Sequence, residues 1–297
     1  MNGYTNVYRE TMNNFPDIRL NLGDYIDAFI SWLTEAGAGV FDFIYFISVN
    51  TINGINDFLD LFPWWLFIFI VIALGWFFQK WSSGLIYGAF IFIIGAFGLW
   101  SEMMTTLAII IAAVLICLII GIPLGIIMAF SHRFSIVMRP ILDAMQTMPS
   151  FIYLIPAIFF FGLGNVSAIF ATIIYAVPPV VRLTELAIRG VSPAMVESAQ
   201  SFGSSKAQTL WKVQLPQAVP TIMAGVNQTT MMALAMVVIA SMVGAGGLGA
   251  QVLVAINRVD ISLGAEAGLS IVFLAIIIDR MTNGFANKIQ RHRRVTS

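Results

Sequence analysis

The residues most able to do chemistry lie in one polar stretch, Val191–Pro216, inside a chain that is otherwise mostly apolar. This stretch contains a series of residues that favour helix boundaries: Ser192, Pro193, Gly203, Ser204, Ser205 and Pro216. They predict one short helix that ends at the glycine, and a second that begins at one of the two serines and ends at the last proline. Two short polar helices between apolar spans must stand outside the bilayer, where they are able to bind another protein. Residues 191–216 are called the knob below.

Apolar side chains in the knob are suited to contact with another protein. Met195, Ala199 and Phe202 share one face of the first predicted helix, and the small Ala199 permits close approach. Leu210 and Trp211 lie on the second predicted helix, and large anchors of this type dominate the energy of protein interfaces. The alternative is a pair of interfacial helices that rest on lipid.

Catalytic and metal-binding patterns are missing from the sequence. No stretch has the form G-x-x-x-x-G-K-[ST], so we do not expect the chain to hydrolyse ATP. His132 and His292 lie in separate basic segments, and no Cys/His/carboxylate cluster has metal-ligand spacing. The single cysteine, Cys117, excludes a disulfide framework. We therefore expect no enzymatic activity, no bound metal or cofactor, and no binding of nucleic acid.

The elements that position the knob are membrane spans. Of the 297 residues, 59% are hydrophobic and 10% are charged, whereas soluble domains carry about 25% charged residues. Mean hydropathy is +0.89. A helix needs roughly 20 apolar residues to cross a bilayer. The sequence predicts an all-α polytopic membrane protein with about seven spans: Leu61–Phe78, Gly84–Trp100, Thr105–Phe130, Phe151–Leu163, Val166–Val181, Gln217–Val243 and Ala267–Phe285.

The fourth and fifth spans have an alternative interpretation. Phe151–Leu163 is short and the following turn, Gly162–Asn165, is tight, so both spans could be half-spans buried within the bundle. Pro156 and the pair Pro178 and Pro179 are expected to break them, because proline removes a backbone hydrogen bond. Broken backbone at membrane depth must be buried in protein or face water, which favours the wall of a pathway over simple packing.

Basic residues are distributed unequally between the two sides of the predicted bundle. Seven crossings place twelve of them on one side: Lys80, Arg133, Arg139, Arg182, Arg189, Lys206, Lys212, Arg280, Lys288, Arg291, Arg293 and Arg294. The other side has three: Arg9, Arg19 and Arg258. Cytoplasmic loops carry the excess of Lys and Arg. We therefore predict a multi-pass protein of the bacterial cytoplasmic membrane with its N-terminus outside and the knob and C-terminus inside.

Four segments follow from these patterns. Residues 1–60 are expected to form an external amphipathic segment on the membrane surface, with a docking platform or an extra span as alternatives. The sequence begins without a recognisable signal peptide. Residues 61–100 supply two spans, residues 101–287 the core with the knob, and residues 288–297 a basic tail that binds anionic lipid. Within the last span, Asp279 needs a polar partner, because an unpaired charge at the bilayer centre costs about 3 kcal/mol.

The knob resembles the cytoplasmic coupling motif of ABC importer permeases. That motif begins Glu-Ala-Ala, has a glycine four residues after the second alanine, and closes on Leu-Pro. Glu197-Ser198-Ala199, Gly203 and Leu215-Pro216 match it, with serine in place of the first alanine. The resemblance implies that a partner ATPase contacts Glu197, Ser198, Ala199, Phe202, Gly203, Leu210, Trp211, Leu215 and Pro216.

Further motifs extend the resemblance over roughly residues 103–285. Met145–Pro149, Ser241–Gly249, Asn227-Gln228 and Asp279-Arg280 are similar to the permease of glycine betaine/proline betaine importers. The resemblance implies a type I importer (MetI-like) helix bundle. It also implies a pathway or gate at Met148, Pro149, Tyr153, Phe160, Asn227, Gln228, Gly244, Gly246 and Gly247. Quaternary ammonium cations favour aromatic faces, although the aromatic residues of the fourth span could instead face lipid or the core.

The resemblance implies one component of a larger machine. Two copies of the chain would form the pathway, two ATPase subunits that bind ATP and Mg²⁺ would grip the knob, and an external binding protein would deliver the solute. The expected cargo is glycine betaine or proline betaine, with carnitine and choline as further candidates. The alternatives are an importer of the same architecture for methionine or another small polar solute, and a secondary carrier. The spans contain no evident Asp/Glu/His relay, which argues against the carrier.

Overall fold

The computed structural model describes residues 22–294, with side chains described for residues 23–288. Within these ranges the chain forms helices and no strands. In chain order the helices are α1 (Leu22–Ala36), α2 (Ala38–Asp60), α3 (Trp64–Phe78), α4 (Trp81–Ala96), α5 (Trp100–Phe130), α6 (His132–Thr147), α7 (Leu154–Phe161), α8 (Asn165–Arg189), α9 (Pro193–Ser201), α10 (Lys206–Thr209), α11 (Leu215–Ala240), α12 (Leu248–Arg258) and α13 (Ile261–Arg294). The start of the predicted amphipathic segment, residues 1–21, lies outside the described residues.

Each of the seven predicted spans corresponds to an apolar helix. The helices α5, α8 and α13 are long and apolar enough to cross a membrane, and so is the continuous stretch Lys206–Val243 that contains α11. The fourth predicted span is the short helix α7, which together with α6 forms a pair bent by 109°. The first two spans, α3 and α4, are shorter, with 15 and 16 residues. The structure thus confirms the fold class, an all-helical polytopic membrane protein.

The predicted boundary at residue 60 coincides with the end of helix α2, and the division into four segments stays a prediction. The helix α2 has 23 residues and meets the length and composition requirements for a span, in line with the extra span that was an alternative for residues 1–60. Its buried residues include Ile52 and Leu59. The placement of residues 1–60 on the outer surface stays a prediction.

The helix α8 lies at the centre of the bundle between α5 and α11. Gly121 and Gly125 of α5 face Val180 and Thr184 of α8 so closely that a Cβ on either glycine would collide with them. Close contact between helix backbones through small residues is typical of membrane bundles. This close packing holds α5 against α8.

Three prolines do not break their helices, contrary to the sequence-based expectation. The helix α8 continues through Pro178 and Pro179 and ends only at Arg189, eight residues after the predicted end of the fifth span. Both prolines are buried, so the packing of α5 and α11 holds the helix together around the missing backbone hydrogen bonds. Pro156 lies in the first turn of α7, where its missing N–H has no intrahelical acceptor to lose.

Long-range hydrogen bonds define the two ends of the bundle. At one end Gln79 Nε2 donates to the carbonyl of Arg280 over 2.5 Å. At the other end the Gly246 N–H donates to Asn165 Oδ1 over 2.9 Å. The alternation of helices then brings the following described basic residues to the first end: Lys80, Arg133, Arg139, Arg182, Arg189, Lys206, Lys212, Arg280 and Lys288. The predicted grouping of charges is reproduced, and the assignment of this end to the cytoplasm stays a prediction.

The segment between the third and fourth spans is a helix that the sequence analysis did not predict. The helix α6 begins after Ser131, whose hydroxyl accepts a hydrogen bond from the Phe134 N–H over 3.3 Å. Its apolar residues Ile136, Val137 and Ile141 are exposed, whereas Ser135 and Leu142 are buried against the bundle. The buried face packs towards α8, and two charged residues of α6, Arg139 and Asp143, pair with residues of α8.

Candidate functional site

The knob has the predicted pair of short helices joined at a glycine. The helix α9 ends at Ser201, and Gly203 follows with a φ of +84°, a backbone conformation that glycine adopts without strain. Ser205 begins α10 through a capping box, in which its hydroxyl accepts from the Gln208 N–H and the Gln208 side chain accepts from the Ser205 N–H. Ser192 occupies the N-cap position of α9, but its side chain makes no capping hydrogen bond.

The sequence predicts that the second helix of the knob ends at Pro216, and this prediction is wrong. Residues Leu210–Gln214 form a π turn, in which the Leu215 N–H donates to the carbonyl of Leu210, five residues earlier. The wider turn lets the chain enter α11 with Pro216 in its first turn, where proline is tolerated. The knob is therefore connected to α11 by a continuous helical stretch, Lys206–Val243.

The apolar residues of the knob face two directions. Phe202 is 91% exposed and Trp211 is 68% exposed, and Met195 is also exposed. Leu210 and Leu215 instead pack against a buried cluster that includes Ile188 at the end of α8. The first group is available to a partner, whereas the two leucines attach the knob to the bundle. Glu197, Ser198 and Gly203 are exposed and Ala199 is half-buried.

The bend between α6 and α7 contains three of the predicted pathway residues. Met148 and Pro149 are exposed in the link between the two helical segments. Tyr153 is buried, and its hydroxyl donates to the carbonyl of Met145 over 2.5 Å, which fixes the bend from the inside. The side chain of Tyr153 thus serves the geometry of the bend in this structure.

The aromatic residues of the fourth span do not line one surface. The ring of Phe160 lies 6.4 Å, centroid to centroid, from the rings of both Phe161 and Phe170. Phe159 is exposed. Since Tyr153 is buried just before the start of α7, these side chains are divided between the core and the outer face.

The glycine loop after α11 is attached to α5 at the end of the bundle opposite the knob. Gly244 and Gly247 have φ angles of +83° and +87°, which other residues rarely adopt. A Cβ on Gly247 would collide with Thr106 Oγ1. The same Thr106 hydroxyl accepts a hydrogen bond from the Leu248 N–H over 2.8 Å. Together with the Gly246–Asn165 hydrogen bond, these contacts fix the loop to two neighbouring helices.

Two adjacent residues in α11 face different surroundings. Asn227 Nδ2 donates to Asp279 Oδ1 on α13 over 3.2 Å, and Asn283 Nδ2 donates to the same oxygen over 2.9 Å. These amides are the polar partners that the sequence predicts for Asp279. Gln228 is exposed on the side of α11 that also exposes Ala224 and Ala235. The predicted pathway residues thus occupy four separate places: the bend, the end of α7 (Phe160), the middle of α11 and the glycine loop.

Comparison with known proteins decides between the classes that this geometry allows. Residues 121–294 match the family described as "Binding-protein-dependent transport system inner membrane component". The chain belongs to this family. The match covers more than half of the chain and includes the knob, the bend and the glycine loop, so the chain is the membrane permease component of an importer rather than a secondary carrier.

Curated relatives extend the similarity to nearly the whole permease. The glycine betaine/carnitine transport permease protein GbuB of Listeria monocytogenes (strain 10403S) is 46% identical, over 93% of this chain and 99% of its own. The glycine betaine transport system permease protein OpuAB of Bacillus subtilis (strain 168) is 42% identical, over 91% of this chain and 96% of its own. Both similarities cover more of the chain than the family match at residues 121–294.

A solved structure shares the fold of the permease core. An inward-facing form of the MetNI methionine ABC transporter matches with a TM-score of 0.58 and 21% sequence identity. The match covers 62% of this chain and 92% of that chain. At this identity the similarity concerns the fold alone, and it agrees with the predicted MetI-like helix bundle.

Several residues that organise the permease were not predicted from the sequence. Glu185 is buried near the C-terminal end of α8, and Asn165 and Thr106 hold the glycine loop. A signal for Glu185 exists in the sequence, because Arg182, Glu185 and Arg189 are spaced to share one helical face with alternating charge. Asn165 and Thr106 have no comparable local signal, since their partners are more than 80 residues away in the chain.

Proposed function

We propose that this permease carries glycine betaine and related quaternary-ammonium compatible solutes into the cell. The observation that supports this cargo is the similarity, at 42–46% identity over more than 90% of the chain, to permeases named for glycine betaine. More distant relatives are named for choline and carnitine, at 31–32% identity. Methionine is the weaker alternative, because the methionine transporter shares only the fold.

The energy for transport comes from a partner in this proposal. We expect two ATPase subunits to bind ATP and Mg²⁺ and to contact the exposed face of the knob through Met195, Phe202 and Trp211. The permease itself binds no nucleotide and is no enzyme. An external binding protein delivers the solute at the opposite end of the bundle. The support for these partners is the family, whose description names dependence on a binding protein.

The pathway lies between two copies of the permease, along the exposed side of α11. Gln228 lies thirteen residues into this helix, roughly 20 Å from its start at 1.5 Å per residue. A polar side chain at that depth is costly against lipid, so it is expected to face water or a partner. Ala224 and Ala235 on the same side leave room for a solute beside the helix.

The orientation in the bacterial cytoplasmic membrane follows from the charges. The end of the bundle that carries the knob also carries nine described basic residues, from Lys80 to Lys288. An excess of positive charge is typical of the cytoplasmic side. We therefore place the knob and the C-terminus inside and the glycine loop outside.

Solute uptake by the reconstituted complex tests this function. The permease, its ATPase and ATP are enclosed in liposomes, the binding protein is added outside, and radiolabelled glycine betaine is supplied. We expect ATP-dependent accumulation that unlabelled carnitine or choline reduces and methionine does not. Accumulation of methionine instead would show that methionine, and not glycine betaine, is the solute that the permease carries. Uptake driven by a proton or sodium gradient without ATP would contradict coupling to an ATPase.

A further inference from the structure

We propose that Glu185 is a positioning residue that transmits movement of the knob from α8 into α6 and the bent fourth span. This inference rests on the proposed function, because it concerns how ATP-driven motion reaches the pathway. Glu185 touches neither the ATPase surface nor the predicted pathway residues. Its role is to hold three helix ends in one arrangement.

The carboxylate of Glu185 is the hub of a polar cluster. Glu185 Oε1 accepts hydrogen bonds from Ser135 Oγ over 2.7 Å and from Arg139 Nη2 over 2.9 Å, both on α6. Arg189 Nε, one turn further along α8, lies 3.1 Å from the same oxygen. Arg189 also donates through Nη2 to the carbonyl of Met128, at the end of α5, over 2.8 Å. The cluster therefore connects α5, α6 and α8.

A second ion pair joins α6 to α8 with the charges reversed. Arg182, three residues before Glu185, pairs with Asp143, four residues after Arg139. The two helices are antiparallel along these pairs. The positive residue lies on α6 in the pair Arg139–Glu185 and on α8 in the pair Asp143–Arg182. Sliding α6 by one helical turn would place like charges opposite each other. The pairs thus define one register of α6 on α8.

Stability alone gives little reason for a charge at position 185. The Glu185 side chain is 5% exposed, whereas its partner Arg139 is 55% exposed. Removing a carboxylate from water costs about as much free energy as its ion pairs return, and buried pairs can often be replaced by apolar residues without loss of stability. In addition to packing, a charged cluster holds the helices in one defined arrangement. Helices that transmit a movement need such an arrangement.

The cluster lies on the route from the knob to the bend. Arg189 is the last residue of α8, and α9 begins at Pro193 after a turn of only three residues. At the other end, α6 leads directly into the 109° bend that Tyr153 closes on Met145. Helices are stiff, so a displacement of α9 that moves the end of α8 moves α6 with it only while the cluster holds.

The test measures solute transported per ATP hydrolysed in the reconstituted complex. Glu185→Gln keeps the size of the side chain and an acceptor for Ser135 but removes the charge. We expect this ratio to fall by about fivefold or more, the lower range of coupling energies between distant sites. Binding of the ATPase to the permease should remain unchanged. An unchanged ratio in the variant, with a working wild type, would overturn the inference and leave the proposed function intact.

A charge exchange at the second pair keeps the inference testable if Glu185→Gln fails to fold. Asp143 and Arg182 are both partly exposed, at 59% and 35%, so single variants are expected to fold. Asp143→Arg and Arg182→Asp should each lower the transport ratio, and the double variant should restore it. A double variant no better than the single ones would contradict the register role. Absence of ATP-driven uptake in the wild type would instead refute the proposed function.

Discussion

The hydrogen bond from Asn227 Nδ2 to Asp279 Oδ1, 3.2 Å long, joins α11 to α13 within the apolar part of the bundle. The carboxylate also accepts from Asn283 on its own helix. Asn227 and its neighbour Gln228 are therefore chemically similar residues with different tasks. The first satisfies a charge within the protein, and the second is exposed on the side of α11 where we place the pathway.

The first prediction concerns stability at this pair. Asn227→Leu removes one of the two amides that hold Asp279, and we expect it to lower the free energy of unfolding by about 1 kcal/mol, within the range measured for hydrogen bonds between membrane helices. Gln228→Leu is the matched control on the same helix and should leave stability unchanged. Thermal unfolding in detergent measures both. Equal destabilisation by the two changes would show that Asn227 has no special structural role.

The second prediction concerns water access at Gln228. A cysteine introduced by Gln228→Cys should react with a charged, membrane-impermeant thiol reagent in the assembled importer, because thiolate chemistry requires water. Ile119→Cys is the control, since Ile119 of α5 is 71% exposed at a comparable depth but belongs to an apolar surface. The wild type serves as the unlabelled reference, because its one cysteine, Cys117, is buried. Labelling of both variants at the same rate would contradict the placement of the pathway on this side of α11.

Much of the fold was predictable because each span is encoded locally. Runs of apolar residues predicted the seven helical segments, and Gly203 with Ser205 predicted the joint of the knob. Boundaries failed where tertiary packing overrides local preference. The helix α8 continues through Pro178 and Pro179 because both are buried between neighbouring helices, and the π turn at Leu210–Gln214 carries the chain past Pro216.

The candidate site was predictable in part for the same reason. The coupling motif is contiguous, so its residues could be found from their spacing alone. The contacts of the glycine loop join residues 81 and 142 positions apart, Gly246 to Asn165 and Leu248 to Thr106, and no local pattern indicates them. Glu185 fell between these cases, since its helical spacing to Arg189 was visible but its partners on α6 were not.

The third prediction concerns the glycine loop. Gly247→Ala should destabilise the permease by about 1–3 kcal/mol, because φ is +87° and the new Cβ would collide with Thr106. Gly268→Ala is the control, since a Cβ at this helical position meets nothing within 4 Å. Alanine there should be neutral or stabilising by up to about 1 kcal/mol. Unfolding temperatures in detergent separate the two variants. A Gly247→Ala permease as stable as the wild type would show that the loop yields to the added side chain.

The last prediction concerns the exposed face of the knob. Trp211→Ser should weaken binding of the ATPase by about 2 kcal/mol, or roughly thirtyfold in Kd, since exposed aromatic residues that become buried on binding act as interface anchors. Trp81 is the matched control, because it is 67% exposed, against 68% for Trp211, and lies at the start of α4 outside the knob. Trp81→Ser should leave the Kd unchanged. Biolayer interferometry with the immobilised permease measures both values. A similar loss of affinity in the two variants would indicate that tryptophan removal disturbs the bundle in general rather than the coupling surface.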